Sequence, residues 1–168
     1  MIEPQISQMG ADAASGAYCP PDMDRMASSF GAACGHGALA ACLGVPVALA
    51  CAIGWPDGTR GWVNMPDMER ALGLCEARFQ IIGRRLPADG LAILQWLGPW
   101  TQPNVPPRVA CMHRHWIAVR GILIWDANLQ GWMPRAKWEE FVPDLLPPRA
   151  TGWEVARGYE VQKKGGRS

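Results

Sequence analysis

The chain has 168 residues, of which 49% are hydrophobic, and its formal net charge is +1. This length fits one domain with a hydrophobic core, and the small net charge gives no electrostatic reason to expect nucleic acid or an anionic membrane as a partner. Six cysteines without regular spacing, in a chain that opens without a basic and apolar leader, indicate reduced thiols in a cytoplasm rather than exported disulfides.

The N-terminal segment is expected to be irregular. Residues 1–27 are rich in Gly, Ala, Ser, Pro and Asp and lack periodicity, so we expect a loosely structured arm with room for one helical turn. A single domain is expected over 28–162, followed by a basic, mobile tail at 163–168. No internal repeat is found, and the oligomeric state stays open.

Two short helices are predicted next. Small and apolar residues at helical spacing predict a helix at 35–43, and a second follows Pro46 at 47–52. The longest apolar run, 38–53, is interrupted by Gly44 and Pro46, so it is too short and broken to span a bilayer. We therefore expect buried helices and no membrane partner.

The remaining elements are short. Asn64 is a candidate helix cap, Pro66 stands in the first turn, and Gly73 closes this helix. The later elements, in chain order, are a strand at 78–82, a short helix or a strand at 90–97, a loop at 99–107, an amphipathic stretch with a helical turn at 138–146, and a terminal strand at 153–161. Because helices precede an antiparallel sheet, the pattern predicts an α+β fold.

A hairpin is predicted between 116–119 and 122–125, two apolar runs separated by Arg120-Gly121. A two-residue loop at this point places His115 directly opposite Asp126, with Cβ atoms about 4.5 to 5.5 Å apart. The carboxylate can then hold the imidazole, as in half of a catalytic triad, with Asn128 as the reserve orienting residue. The alternative is a histidine at a strand end beside a solvated aspartate.

Cys34 is the best placed of the six cysteines to act as a nucleophile. It opens the helix at 35–43, where free backbone N–H groups and the helix dipole lower a thiol pKa. Cys42 and Cys51 fall inside helices and are better explained as packing residues, while Cys75 follows a helix end and Cys19 has no helix to activate it. A small buried core residue is the alternative for Cys34.

Two short motifs resemble those of papain-like cysteine peptidases. The segment 34–40, Cys-Gly-His-Gly-Ala-Leu-Ala, resembles the Cys-Gly-x-x-Ala-Leu-Ala helix of the double-glycine leader peptidases. The segment 115–119, His-Trp-Ile-Ala-Val, is similar to the His-Trp-x-x-Val strand of those enzymes and of the Josephin deubiquitinases. The spacing at 64–72 and the ending Trp-Asp-Ala-Asn at 125–128 also resemble small papain-like proteins encoded by tailed phages.

The resemblance implies a papain-like fold, in which N-terminal helices, with the nucleophile at the start of the first main helix, pack on a C-terminal antiparallel sheet. It also implies a cysteine hydrolase that cleaves a peptide or isopeptide bond of a polypeptide, without a cofactor. Cys34 would attack the carbonyl, His115 would take the thiol proton and Asp126 would orient the ring. Trp116 and Trp125, paired across the hairpin, would shield this pair or pack beneath it. A phage-encoded member would act in the host cytoplasm.

One position departs from the family pattern. Papain-like enzymes carry a Gln five or six residues before the nucleophile, as a donor to the oxyanion, and here Ser29 and Ser28 stand there. Loss of one such donor costs ~10²- to 10³-fold in rate. Either Ser29 substitutes, Gln5 or Gln8 folds back, or the chain is a weak or inactive relative. The second hypothesis is accordingly a structural or binding module, for example a phage particle component or an inhibitor of a host protein.

A metal site is the third interpretation. Cys111, His113 and His115 alternate in sequence, so on one strand they would share a face, and their ligand types suit zinc or copper. Such neighbours lie about 6.5 to 7 Å apart along a strand and seldom converge on one ion. A fourth ligand is missing unless His36 supplies it, so we expect no metal.

Overall fold

The computed structural model describes residues 17–58, 61–129 and 131–162. These residues form six α-helices, two short 3₁₀ turns and six strands. The helices are α1 Met23–Phe30, α2 Cys34–Leu43, α3 Val47–Gly54, α4 Met65–Leu74, α5 Pro107–Cys111 and α6 Arg135–Leu145; the 3₁₀ turns are Pro99–Thr101 and Ala127–Leu129. The strands are β1 Arg78–Gly83, β2 Asp89–Leu97, β3 Arg114–Arg120, β4 Leu123–Asp126, β5 Gly131–Pro134 and β6 Gly152–Gln162.

The strands form one six-stranded sheet in the order β1-β6-β2-β3-β4-β5. Every neighbouring pair is antiparallel, which confirms the predicted α+β class. The segment 90–97, which the sequence left open between helix and strand, lies in β2. The terminal strand β6 lies inside the sheet, paired with β1 on one side and with β2 on the other.

The sheet is covered on both faces, which gives three layers. On the face that packs against α2, Leu91, Ile93 and Trp116 join the larger core cluster together with side chains of α2, α3 and α4. On the opposite face, Leu94, Ile117, Val119 and Ile124 pack with Trp138 and Val142 of α6. We call these the α2 face and the α6 face.

The helices α2 and α3 are apolar because they fill the core. All residues from Gly35 to Cys42 are buried, so α2 has no solvent-facing stripe. Among the described residues, no single helix is long and apolar enough to cross a bilayer; α2 and α3 reach the required length and composition only together, and they are bent by 103° at their junction.

The helix α1 begins at Met23, inside the segment predicted to be a loose arm. Asp22, just before it, accepts hydrogen bonds from the backbone N–H groups of Val47 and Ala48, both at 2.9 Å. These contacts fix the start of α3 to the start of α1, since a carboxylate is favoured where a helix has free N–H groups. The predicted arm at 1–16 and the predicted tail at 163–168 lie outside the described residues.

The predicted register of the β3–β4 hairpin is wrong by two residues. Arg120 pairs with Leu123 and Ala118 with Trp125, so the loop is Gly121-Ile122. Gly121 has φ +55°, as the first position of a type II′ turn requires, and this preference places Gly first in the loop rather than second. A shift of two residues keeps every side chain on its face of the sheet, whereas a shift of one would have reversed them.

Two further boundaries differ from prediction. The stretch at 138–146 belongs to a longer helix, α6, which begins at Arg135 and has Pro143 in its last turn. The helix α4 continues one residue past Gly73 to Leu74. Its predicted start is confirmed, because Asn64 caps the helix by accepting the N–H of Asp67 at 2.7 Å.

Candidate active site

Cys34 is the first residue of α2, and its side chain is partly buried. Two glycines allow α2 to lie directly on the sheet. A Cβ on Gly35 would stand 2.7 Å from Val63 Cβ and 3.1 Å from Trp116 Cδ1, and a Cβ on Gly37 would stand 3.1 Å from Cζ3 of the Trp125 ring. The absence of side chains at these two positions therefore sets how closely the thiol approaches β3.

His115 and Asp126 lie on the α6 face, because they alternate with residues of the α2 face along β3 and β4. His115 Nε2 is 2.9 Å from Asp126 Oδ1, and both residues are buried, at 5% and 0% exposure. In the observed register Asp126 lies beside Ile117 rather than directly opposite His115. The pair is thus a diagonal contact on one face, which a ring and a carboxylate can span.

Three donors hold the Asp126 carboxylate. His115 Nε2 and the backbone N–H of Asn128 both bond Oδ1 at 2.9 Å, and Trp138 Nε1 donates to Oδ2 at 2.9 Å. Burial raises the pKa of Asp126, but these bonds and the charge of His115 outweigh burial and hold the pKa below its ordinary value. Asn128 contributes its backbone while its side chain is exposed, so its reserve role is not used.

The Cys34 thiol meets the imidazole at an open edge of the sheet. A hydrogen bond joins Cys34 to His115, and Nδ1 is the ring nitrogen left for it because Asp126 occupies Nε2. The backbone N–H of Trp116 also donates to the sulfur. Pairing between β3 and β4 begins only at Ala118, which leaves this part of β3 open to Cys34.

The charges favour an ion pair between thiolate and imidazolium. Burial alone raises the pKa of Cys34, but the hydrogen bond and charge of His115 and the Trp116 N–H bring it below the ordinary value of 9.0. Burial lowers the pKa of His115, but its bonds to Asp126 and Cys34 raise it to about 10. A thiolate is the form of cysteine that attacks carbonyls, so this pairing activates Cys34.

Trp116 and Trp125 pack in the core, one of the two expected places, but they are not paired with each other. Trp125 faces Ala118 rather than Trp116, and both indoles are buried on the α2 face, where Trp116 Nε1 donates to the Val63 carbonyl at 2.7 Å. Trp138 contacts the pair instead through Asp126. Trp96 covers the other side, stacked on the His115 ring with centroids 5.4 Å apart.

Sequence reasoning missed Trp96 and Trp138. They are two of nine tryptophans in the chain. Trp96 lies near the end of an apolar strand and Trp138 in the first turn of an amphipathic helix, so each has a packing explanation in the sequence. Trp138 could have been recognised only by knowing that α6 packs on the face of the sheet that carries Asp126, and this packing is tertiary structure.

Neither candidate serine is among the residues that interact with Cys34, His115 or Asp126. Ser28 and Ser29 lie on the exposed surface of α1, while Gln5 and Gln8 fall outside the described residues. Gln95 is buried near His115, but its amide donates to the carbonyls of Trp96, Ala110 and His113 and accepts from Arg114. That amide therefore fixes the end of α5 to β3.

The premise of the metal interpretation is wrong. Cys111 ends α5 and β3 begins only at Arg114, so Cys111 and His113 do not share a strand with His115. His113 stacks on Trp100 with centroids 3.7 Å apart. Within the described part of the chain, no three His, Cys, Asp or Glu side chains are grouped as metal ligands.

The structure brings Cys34, His115 and Asp126 together as an activated thiol, a base and an orienting carboxylate, the combination that performs nucleophilic acyl transfer. Cys42 and Cys51 are buried within their helices, as their packing role predicts.

In comparisons with known proteins, no family model, no curated protein and no solved structure matches this chain.

Proposed function

We propose that this protein is a papain-like cysteine hydrolase that cleaves a peptide or isopeptide bond in a polypeptide. The observation that carries the proposal is the continuous hydrogen-bonded chain from Cys34 through His115 to Asp126. A free cysteine that only packed would need no ionisable partner, and a surface histidine would need no carboxylate with three donors.

The order of the site residues along the helix and the two strands supports the papain-like type. The thiol opens the first long apolar helix, the histidine follows on a strand, and the carboxylate ends the next strand. Nδ1 of the histidine faces sulfur while Nε2 faces the carboxylate. This order supports the resemblance of segments 34–40 and 115–119 to papain-like motifs.

The reaction follows from these positions. The Cys34 thiolate attacks the carbonyl carbon, and the resulting oxyanion collapses as the amine leaves with the proton that His115 carries. Water then attacks the thioester while His115 accepts its proton, and the free thiolate returns with the carboxylate product. Asp126 keeps the ring orientation fixed and balances the imidazolium charge.

Backbone donors at the start of α2 replace the missing glutamine in this mechanism. Among the described residues, no backbone carbonyl accepts the N–H groups of Cys34 or Gly35, whereas those of His36 and Gly37 bond the Ala33 carbonyl. Two adjacent N–H groups beside the sulfur are suitable donors for a developing oxyanion.

Alkylation by iodoacetamide tests the proposal, because exposure and activation predict opposite orders of labelling. Cys19 and Cys111 are exposed, whereas Cys34 is only partly so. At pH 6 an ordinary thiol is almost fully protonated, so we expect Cys34 to be modified at least about tenfold faster than either exposed cysteine. Peptide mass spectrometry over a time course measures each rate.

The matched control is His115→Ala, in which Cys34 should lose this advantage while the rates at Cys19 and Cys111 stay unchanged. Equal rates at all three cysteines in the unaltered protein would contradict the proposal. That result would favour the non-catalytic structural or binding module.

A further inference from the structure

His36 lies two residues after the nucleophile and takes no part in the mechanism above, yet it is fully buried. Its Nδ1 accepts the backbone N–H of Ala33, the residue that caps α2, at 2.9 Å. Because Nδ1 is the acceptor, the proton of the neutral ring is on Nε2. Burial lowers the pKa of His36 to about 4, so the ring is uncharged near neutral pH.

The first turn of α2 lacks the usual cap. Ser, Thr, Asp or Asn is favoured at the capping position because its side-chain oxygen bonds the first N–H groups, and Ala33 has no such oxygen. The hydrogen bond from Ala33 to His36 is the reverse half of a capping box, which Glu or Gln provides in other helices. This bond holds the backbone immediately before Cys34 in its extended conformation, φ −119° and ψ −178°.

The other side of the His36 ring is fixed to α3. Trp55, the residue that follows α3, contacts the ring with centroids 4.4 Å apart at an interplanar angle of 56°. Among the described residues, Nε2 has no hydrogen-bond partner. An unbonded buried N–H costs stability, so a residue selected for packing alone would be apolar here.

We infer that His36 is a positioning residue for the nucleophile: its ring acts as an uncharged cap that fixes the Ala33–Cys34 backbone against α3 and so aligns the thiol with His115. The need for an acceptor explains why the residue is polar. The need for neutrality explains why it is not Glu, because a carboxylate two residues from Cys34 would disfavour the thiolate. This inference rests on the proposed function, since alignment matters only if Cys34 reacts.

Three substitutions test separately the hydrogen-bond acceptor, the charge and the apolar volume at position 36. His36→Gln keeps a neutral acceptor, His36→Glu keeps an acceptor but adds a negative charge, and His36→Leu keeps apolar volume without an acceptor. The measurement is the rate of iodoacetamide alkylation at Cys34 as a function of pH, with circular dichroism of each variant to follow folding.

We expect His36→Gln to retain the pH profile of the unaltered protein. In His36→Leu, alkylation at pH 6 should slow severalfold, because the backbone before Cys34 is no longer held and the thiol loses its alignment with His115. In His36→Glu, the profile should move to higher pH by about one unit or more, because the thiolate then faces a like charge.

The inference is overturned if a folded His36→Leu keeps the unaltered profile, or if Gln and Glu give the same profile. If His36→Leu does not fold, the comparison of His36→Gln with His36→Glu still tests the inference. His115→Ala distinguishes a failure of the proposed function from a failure of the role of His36. A Cys34 that stays selectively reactive without His115 removes the proposed function itself, whereas loss there with no effect at position 36 removes only the role of His36.

Discussion

Asp126 is completely buried and accepts three hydrogen bonds, one of them from Trp138. A carboxylate in such a place is stable only while its partners are present, since an unpaired buried charge is strongly unfavourable. The same bonds give Asp126 one fixed orientation, which in turn fixes the tilt of the His115 ring. At this scale, the residues that hold His115 in place are those that satisfy the hydrogen bonds of the Asp126 carboxylate.

The coupled charges of Cys34 and His115 predict how stability depends on pH. The pKa of His115 is raised from 6.5 to about 10, so its contribution is fully present below pH 6.5 and is lost as pH rises toward 10. The pKa of Cys34 is lowered from 9.0, so its contribution is present above pH 9.0 and is lost as pH falls. Between pH 6.5 and 9.0 the two contributions change with pH in opposite directions, so the free energy of unfolding should depend on pH less than either group alone would make it.

Cys34→Ala removes one half of this compensation. In that variant the contributions of Cys34 to the raised pKa of His115 are lost, so any proton that the folded state keeps above pH 6.5 is held by Asp126 alone. Its free energy of unfolding should therefore fall with rising pH above 6.5, by up to about 1.4 kcal/mol per pH unit. Urea unfolding between pH 6 and 9 measures it, and Cys34→Ala combined with His115→Gln, which should be flat, is the control. Parallel curves for Cys34→Ala and the unaltered chain would show that the two groups are not coupled.

Among the elements, the contact between α2 and β3 determines where the nucleophile stands. The close approach depends on Gly35, since a Cβ there would lie 2.7 Å from Val63 Cβ. Gly35 precedes the buried His36 and follows Cys34, so a displacement of the first turn moves both. The site is therefore sensitive to helix position as well as to the three reacting side chains.

Gly35→Ala should lower both stability and the reactivity of Cys34. In an exposed helix interior this substitution gains about 1 kcal/mol, but here the methyl group must displace α2 from the sheet. Gly73→Ala in α4 is the matched control, because a Cβ at Gly73 meets nothing within 4 Å, and this change should stabilise the protein by about 1 kcal/mol. Thermal unfolding and Cys34 alkylation measure the two effects. A Gly35→Ala variant that behaves like Gly73→Ala would contradict the close contact.

The sequence predicted most helices and strands because caps, turns and apolar spacing are local signals. Asn64 and the apolar residues after Cys34 are examples. The hairpin shows the limit of such signals: the position of Gly121 within its loop was assigned incorrectly, yet His115 and Asp126 still met because the error was an even number of residues. The strand β5, only four residues long, has no periodicity to detect. Trp96, Trp138 and the capping role of His36 depend on packing between distant segments, which no local pattern contains.

For the whole molecule, the position of β6 inside the sheet determines when the sheet becomes continuous. The last strand pairs with β1 on one side and β2 on the other, so the sheet is divided until the C-terminal segment is in place. Tyr159 of β6 is fully buried and its hydroxyl donates to Glu69 of α4 at 3.0 Å. The C-terminal strand therefore joins the helical layer to the sheet.

Truncation before Gly152 should abolish folding altogether. Removal of β6 leaves two unpaired strand edges and exposes the core around Tyr159, and together these losses exceed the roughly 5 to 15 kcal/mol by which a domain is stable. Truncation after Gln162, the last residue of β6, is the control. Far-ultraviolet circular dichroism and size exclusion compare the two chains. A folded chain without 152–168 would show that β6 is dispensable.

The arrangement of the site across the sheet has a consequence for biosynthesis. The thiol approaches from the α2 layer, while the imidazole and carboxylate belong to the α6 face and are only 11 residues apart. His115 and Asp126 can thus meet early during folding, because closing the short loop between them costs little conformational entropy. Cys34 leaves the ribosome first but gains its base only when both layers have closed on the finished sheet. We expect the nascent chain to carry an ordinary thiol at Cys34 until that last step, because the pKa of this thiol is lowered only by its contact with His115 and Trp116.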